Sequence, residues 1–273
     1  MIVENISLQV KRNNNMKKIT SDKYMLNLRE DGLIPIGIDS KNDVIYYNYL
    51  ENQNLLISGF TGTGKTIFCK NIIKQLIAKQ DECFSQYKDI YLYMLDLNHF
   101  DYHKKRYLFN QYITNENDIN LTLFSEIENI AKQKIIEKKQ QDKVDFVITK
   151  KPNIFIFIDD LGCLDIKYLD KFIDLSKKYS NIHLICCTQT YTDEIKPLAD
   201  ISTPVHFFAS LSEIDYANEY NIFGKPITYD KIDIQLKNNC KGVGFIKQGY
   251  KIRKFIKQGY KIINFCRVEQ RCL

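Results

Sequence analysis

Asn54-Leu55-Leu56-Ile57-Ser58-Gly59-Phe60-Thr61-Gly62-Thr63-Gly64-Lys65-Thr66 decides the fold. An apolar strand, Asn54 to Ser58, runs into the pattern G-x-x-x-x-G-K-[ST], and the residues from Gly64 to about Lys79 continue as a helix. Each part has a physical reason. Glycines let the backbone curl until consecutive N–H groups point inward at phosphate oxygens. The helix behind the loop adds its positive N-terminal end. Lysine reaches the β and γ phosphates, and the threonine hydroxyl ligates Mg²⁺. The candidate nucleotide-binding set is therefore Gly59, Thr61, Gly62, Thr63, Gly64, Lys65, Thr66 and Ile67, with ATP and Mg²⁺ as the expected cofactors.

Outward from this loop, apolar runs alternate with helical stretches. Ile90 to Leu95, Ile154 to Ile158, Ile182 to Thr188 and Val205 to Ala209 read as buried strands. Between them, helices are predicted over Asp118 to Gln141, with Leu123, Ile127, Ile130 and Ala131 on one stripe, and over Leu164 to Lys178. Continuous apolar strands separated by helices predict an α/β fold, a mostly parallel sheet covered by helices on both faces. Before the loop, Leu33 to Asp39 and Val44 to Tyr47 read as a short hairpin joined by turn residues. Near the other end, Phe245 to Ile252 recurs identically as Phe255 to Ile262. Each copy reads as strand, Lys-Gln-Gly turn, strand, so either can make a terminal β-hairpin and one is redundant. The expected organisation is a polar, loosely held arm over residues 1–30 and an ATPase domain over 31–273, with the hairpin region at 240–265.

Two strand ends supply chemistry. Ile154-Phe155-Ile156-Phe157-Ile158 ends in Asp159-Asp160, which a parallel strand delivers to the sheet edge beside the phosphate loop. Asp159 is the candidate second holder of Mg²⁺, and Asp160 the group that orients or deprotonates the attacking water. Ile182 to Thr188 ends in Gln189, which can donate to the γ-phosphate or position the water. Lys65, Asp159, Asp160 and Gln189 are the candidate catalytic residues. The basic and aromatic stretch from Asn98 to Tyr107 has two readings, a grip on a nucleic-acid backbone or a solvated loop.

Composition sets the bounds. The 273 residues are 44% hydrophobic and 12% aromatic, enough to bury a core and to exclude a disordered chain. No apolar run approaches the length of a membrane span, and the N-terminus has no continuous apolar segment with a cleavage site, so a cytoplasmic protein is expected. A net charge of +6 favours an anionic partner. The 8 cysteines form no C-x-x-C pair and read as reduced thiols.

Taken together and in this order, the motifs resemble the motor domain of the FtsK/SpoIIIE family, within the HerA–FtsK superfamily of P-loop ATPases. Ile34-Pro35-Ile36-Gly37-Ile38-Asp39 is similar to its lead-in hairpin, and Asp96 to an aspartate after its second strand. His183 to Gln189 is similar to its "HLIxATQ" strand, Ser212-Glu213-Ile214-Asp215 to its "SKID" segment, and Gly242 to Phe245 to its terminal glycine turn. The resemblance implies a RecA-like sheet with the Gln189 strand between the phosphate-loop and Asp159 strands. It also implies a homo-hexameric ring, with ATP between subunits and double-stranded DNA through the pore. Two departures stand out. The second acid is Asp160 where the family has glutamate, and Val205 and Ala217 stand where it has arginines. Arg106 and Arg267 are the substitutes considered for a charge supplied to a neighbour's site.

The expected function is ATP-dependent translocation of double-stranded DNA for a plasmid, conjugative element or phage, in a chain without a membrane span of its own. The alternatives are a secretion or viral genome-packaging ATPase of the same superfamily, and a nucleotide-gated adaptor that hydrolyses little.

Overall fold

The structure is a computed structural model. It describes residues 7–12, 15–20, 32–38, 44–82, 89–98, 102–141, 144–208, 211–224, 226, 243–248 and 251–256. Arg29, Arg267, Arg271 and most of the second repeat copy lie outside them.

The phosphate-loop strand stands inside a ten-stranded sheet. Its parallel part comprises β5 (Asn54–Ser58), β6 (Ile90–Asp96), β7 (Gln111–Ile113), β10 (Asn153–Asp159), β11 (Ile182–Thr188) and β12 (Ser202–Phe208). They lie in the order β12-β5-β11-β10-β6-β7. The Gln189 strand thus sits between the phosphate-loop strand and the Asp159 strand, as the resemblance implied. Beyond β12 the sheet turns antiparallel through β13 (Val243–Gln248), β14 (Lys251–Ile256), β3 (Leu33–Ile38) and β4 (Val44–Asn48). The two expected hairpins therefore extend one sheet, joined where Ile256 pairs with Ile38. The first repeat copy spans the β13–β14 hairpin, and the second begins inside β14 with Phe255 and Ile256.

Strand alternation explains why both faces are apolar. Phe155 and Phe157 of β10 join a core built on α1 (Lys65–Glu82) with Phe68, Ile72 and Leu76. Ile154, Ile156 and Ile158 face the opposite way, onto α2 (Leu121–Lys132) and α3 (Ile166–Lys178), through Ile127 and Phe172. Period-two alternation thus feeds two cores from one continuous apolar run. Glu128 of α2 accepts from Lys178 Nζ at 2.8 Å and Tyr179 Oη at 2.6 Å, and the Lys178 contact, then Tyr179, holds its carboxyl down at about 2.

Two polar side chains fix where β5 enters. Gln53 Nε2 donates to the carbonyls of Tyr179 at 2.8 Å and Ile182 at 2.7 Å, and Asn54 Oδ1 accepts from Leu184 N at 3.0 Å. His183 is buried beside them, with Nδ1 3.1 Å from Gln53 O and Nε2 3.2 Å from Asn153 Oδ1. Burial lowers its pKa to about 4, so it is a neutral core residue.

One expectation needs correction, and two elements were not foreseen. The helix predicted over Asp118 to Gln141 ends at Lys132, and Ile135–Gln141 (β8) pairs antiparallel with Val144–Lys150 (β9). Ile135 keeps the four-residue spacing from Ala131 and is buried, but it opens a strand, and cross-strand pairing takes the place of helical packing there. The stretch expected as a loose arm carries a two-stranded sheet, Ser7–Arg12 (β1) with Asn15–Thr20 (β2). The short strand β7 falls in a stretch with no predicted element. Among the described residues, no helix is long and apolar enough to cross a membrane.

Candidate functional site

The loop between β5 and α1 has the backbone that its glycines permit: Gly59, Gly62 and Gly64 stand at φ 141°, 80° and 113°. Gly59 is also packed. A Cβ there would lie 2.4 Å from Phe207 O on β12 and 2.9 Å from Thr63 Oγ1. Gly59→Ala should therefore lower stability by about 1–3 kcal/mol through overpacking, read as an earlier denaturant midpoint. An unchanged midpoint would mean that the loop does not lean on β12.

Lys65 opens α1 and folds back over the loop, its Nζ donating to Gly59 O at 2.6 Å and Phe60 O at 3.1 Å. Burial lowers its pKa, and the nearby Cys187, Asp159 and Asp160 oppose that shift. The ammonium is thus held where it loses water and gains only two carbonyls, a place suited to an incoming polyanion. Thr66 and Ile67 follow in the first turn, Ile67 exposed and Thr66 half-buried.

Across the loop, β10 ends in Asp159, in register with Asp96 of β6. Asp160 follows at φ 68°, a left-handed conformation that aspartate tolerates better than most residues. Its Oδ2 accepts from Gln189 Nε2 at 3.0 Å and Asn98 Nδ2 at 3.3 Å, and its Oδ1 from Gly162 N at 3.2 Å. Gln189 Oε1 in turn accepts from Thr61 Oγ1 at 2.7 Å. The phosphate loop, β11 and β10 are thereby wired together by Thr61, Gln189 and Asp160, residues that the sequence singled out separately.

Asp96 is buried and engaged, accepting from Tyr112 Oη at 2.6 Å and Tyr102 N at 3.2 Å, so it holds the following loop. That loop forms a 3-10 turn, His103–Leu108, on which Lys104, Lys105, Arg106 and Tyr107 are exposed. Val205 and Ala217 are both buried in apolar clusters, so neither position has room for an outward charge. Cys69 and Cys187 lie beneath the loop with sulfurs 3.3 Å apart, and Cys69, Cys163, Cys186 and Cys187 are all free thiols. The hydrogen bond with Cys69, and then burial, raise the Cys187 pKa.

Sequence reasoning passed over Asn98 as a partner of Asp160. The available signal was its place two residues past a strand-ending aspartate. It also passed over Phe60, whose ring meets Tyr216 at 5.5 Å between centroids.

The donor set fits Mg·ATP. Among the described residues there is no group of three or more His, Cys, Asp or Glu able to hold a metal ion. A hydroxyl and one carboxylate, Thr66 and Asp159, match an ion that keeps its waters and takes phosphate oxygens as its remaining ligands.

A family model described as "Poxvirus A32 protein" matches residues 45–223. No curated protein matches the sequence. Among solved structures, the cytoplasmic domain of the Thermomonospora curvata Type VII secretion ATPase EccC superposes with TM-score 0.54 at 15% identity, over 83% of this chain and 26% of that one. The cytoplasmic domain of EssC gives 0.56 at 17% identity, over 84% and 43%. The pCW3 conjugation coupling protein TcpA, in a monomer form with ATPgS, gives 0.52 at 16% identity, over 92% and 77%. This chain thus spans less than half of the EccC and EssC chains, and the shared feature is the RecA-like P-loop ATPase fold.

Proposed function

Because the chain belongs to the Poxvirus A32 protein family, and so is a P-loop ATPase of the FtsK–HerA superfamily, we propose that it is a motor that moves double-stranded DNA at the expense of ATP. Packaging of a genome is the form that the family match favours over plasmid transfer or protein secretion. The single observation that carries the reading is the Thr61–Gln189–Asp160 chain, because it ties phosphate occupancy to the carboxylate that would act on water.

In this reading Gly59 to Ile67 cradle the phosphates. Lys65 exchanges the carbonyls of Gly59 and Phe60 for phosphate oxygens, and its charge, stripped of water by the fold, gains most at that moment. Thr66 and Asp159 hold Mg²⁺, which supplies charge neutralisation on the phosphates. Asp160, held at both oxygens, is the base that orients the attacking water. Gln189 senses the loop through Thr61. The charge that completes the site comes from a neighbouring subunit of a homo-oligomeric ring, and exposed Arg106 is its supplier.

ATPase assays across protein concentration, with and without duplex DNA, test this. Specific activity should rise with protein concentration, DNA should raise it further by gathering subunits, and the DNA effect should fade with salt. A specific activity flat from nanomolar to micromolar and indifferent to DNA would defeat the motor reading.

A further inference from the structure

Cys69 and Cys187 form a pair of nucleophiles that the site chemistry leaves unused. Cys69 stands four residues past Lys65 on α1, one turn along on the same face. Cys187 stands two residues before Gln189 on β11. Helix and strand meet here with the two sulfurs 3.3 Å apart, and both residues are free thiols, 3% and 1% exposed. Strand alternation makes the pairing selective. Cys187 and Ile185 face the α1 core, whereas Cys186 and Leu184 face the opposite one. A disulfide bond is about 2.05 Å long, so the sulfurs need to close by only about 1.2 Å.

We propose that Cys69 and Cys187 are a modification site, joined reversibly into a disulfide by a small peroxide. The bond ties α1 to β11 beneath the phosphate loop and slows turnover. In the first step one sulfur attacks a peroxide oxygen and the O–O bond breaks. An S–OH group forms, and the other oxygen leaves as water with the thiol proton. In the second step the remaining sulfur displaces hydroxide from S–OH, and that hydroxide leaves as water with the second thiol proton. The pair loses two electrons, hydrogen peroxide is reduced to two waters, and a dithiol reductant reverses the bond. Thiolate is the attacking form, and the hydrogen bond with Cys69, then burial, raise the Cys187 pKa while Lys65 opposes them. The reaction is therefore slow, and burial restricts it to a small, uncharged oxidant. Closure moves the start of α1 toward β11, so Lys65 and Gln189 shift relative to each other, and misplacement by about 1 Å costs about 10²-fold in rate. That effect, unlike the bond itself, rests on the reading of the loop as a nucleotide site.

Peptide mapping of the full chain after hydrogen peroxide, beside ATPase assays before and after dithiothreitol, tests the site. The parent should yield a Cys69–Cys187 cross-linked peptide, lighter by two hydrogens than the separate thiol peptides. Its turnover should fall by about 10²-fold and recover on reduction. Cys69→Ala and Cys187→Ala should each keep their own starting rate through the same treatment, and Cys186→Ala should respond as the parent does. Absence of the cross-link in a sample whose exposed Cys163 is oxidised would overturn the site. A cross-link that leaves turnover unchanged, or an equal loss of rate in both alanine variants of the pair, would overturn its control of the enzyme. A reduced parent that does not hydrolyse ATP would remove the nucleotide reading instead, and the mass of the cross-linked peptide would still decide the site.

Discussion

Lys65→Ala should lower the ATPase rate by about 10²–10³-fold, the loss expected when a preorganised charge facing developing negative charge is removed. The variant should still melt cooperatively. Lys65 donates to Gly59 O and Phe60 O, at a site where burial already disfavours its charge. Deleting the ammonium therefore removes two hydrogen bonds and one desolvation cost together. Nucleotide binding tells a different story, because the phosphates lose the charge that replaces their water. Turnover measured beside thermal unfolding checks the result: a parental rate in Lys65→Ala would mean that the loop is not the nucleotide site. Collapse of the fold would mean that Lys65 is chiefly a structural clamp on Gly59 and Phe60.

Asp160→Asn should bind Mg·ATP and fail to turn it over, with a rate lower by about 10²–10⁴-fold, the usual worth of a general base. An amide cannot take the proton of water. It also meets Gln189 Nε2 and Asn98 Nδ2, both donors to Oδ2 in the parent, so the side chain must turn its own oxygen to them. Its Nδ2 then faces the Gly162 N–H from which Oδ1 accepts in the parent, so one turn bond is lost along with the basicity. Single-turnover kinetics with binding measured in parallel distinguish this from a folding defect. If Asp160→Asn hydrolyses at the parental rate, Asp160 serves the Leu161–Cys163 turn that it caps and the base lies elsewhere.

Much of the fold was legible because β5, β6, β10 and β11 are each a short apolar run closed by a polar residue, as in Ile154 to Asp159. The error over 118–141 has a local cause. Glu137, Lys138, Lys139 and Gln140 are good helix formers, and their own sequence does not reveal their pairing with Ile148, Val147, Phe146 and Asp145 across β9. Of the site, the individual residues were visible and their connections were not. Thr61 and Gln189 are 128 residues apart, and Asn98 and Asp160 are 62 apart, so only the folded sheet brings them together. Phe60 lay inside a motif read for its glycines and lysine, which drew attention away from its ring.

The position of β5 also sets a timetable. It lies between β12 and β11, and both neighbours come late in the chain: Asn54 bonds Leu184 across 130 residues, and Ser58 bonds Val205 across 147. A nascent chain made at about 5–20 residues per second exposes the strand and its loop well before either flank exists. Until β12 emerges, Gly59 has no Phe207 carbonyl to rest on, and until β11 emerges, Thr61 has no Gln189 to hold. The loop therefore gains its contacts only once β11 and β12 have been made, and a chain cut short of them carries the motif without its surroundings.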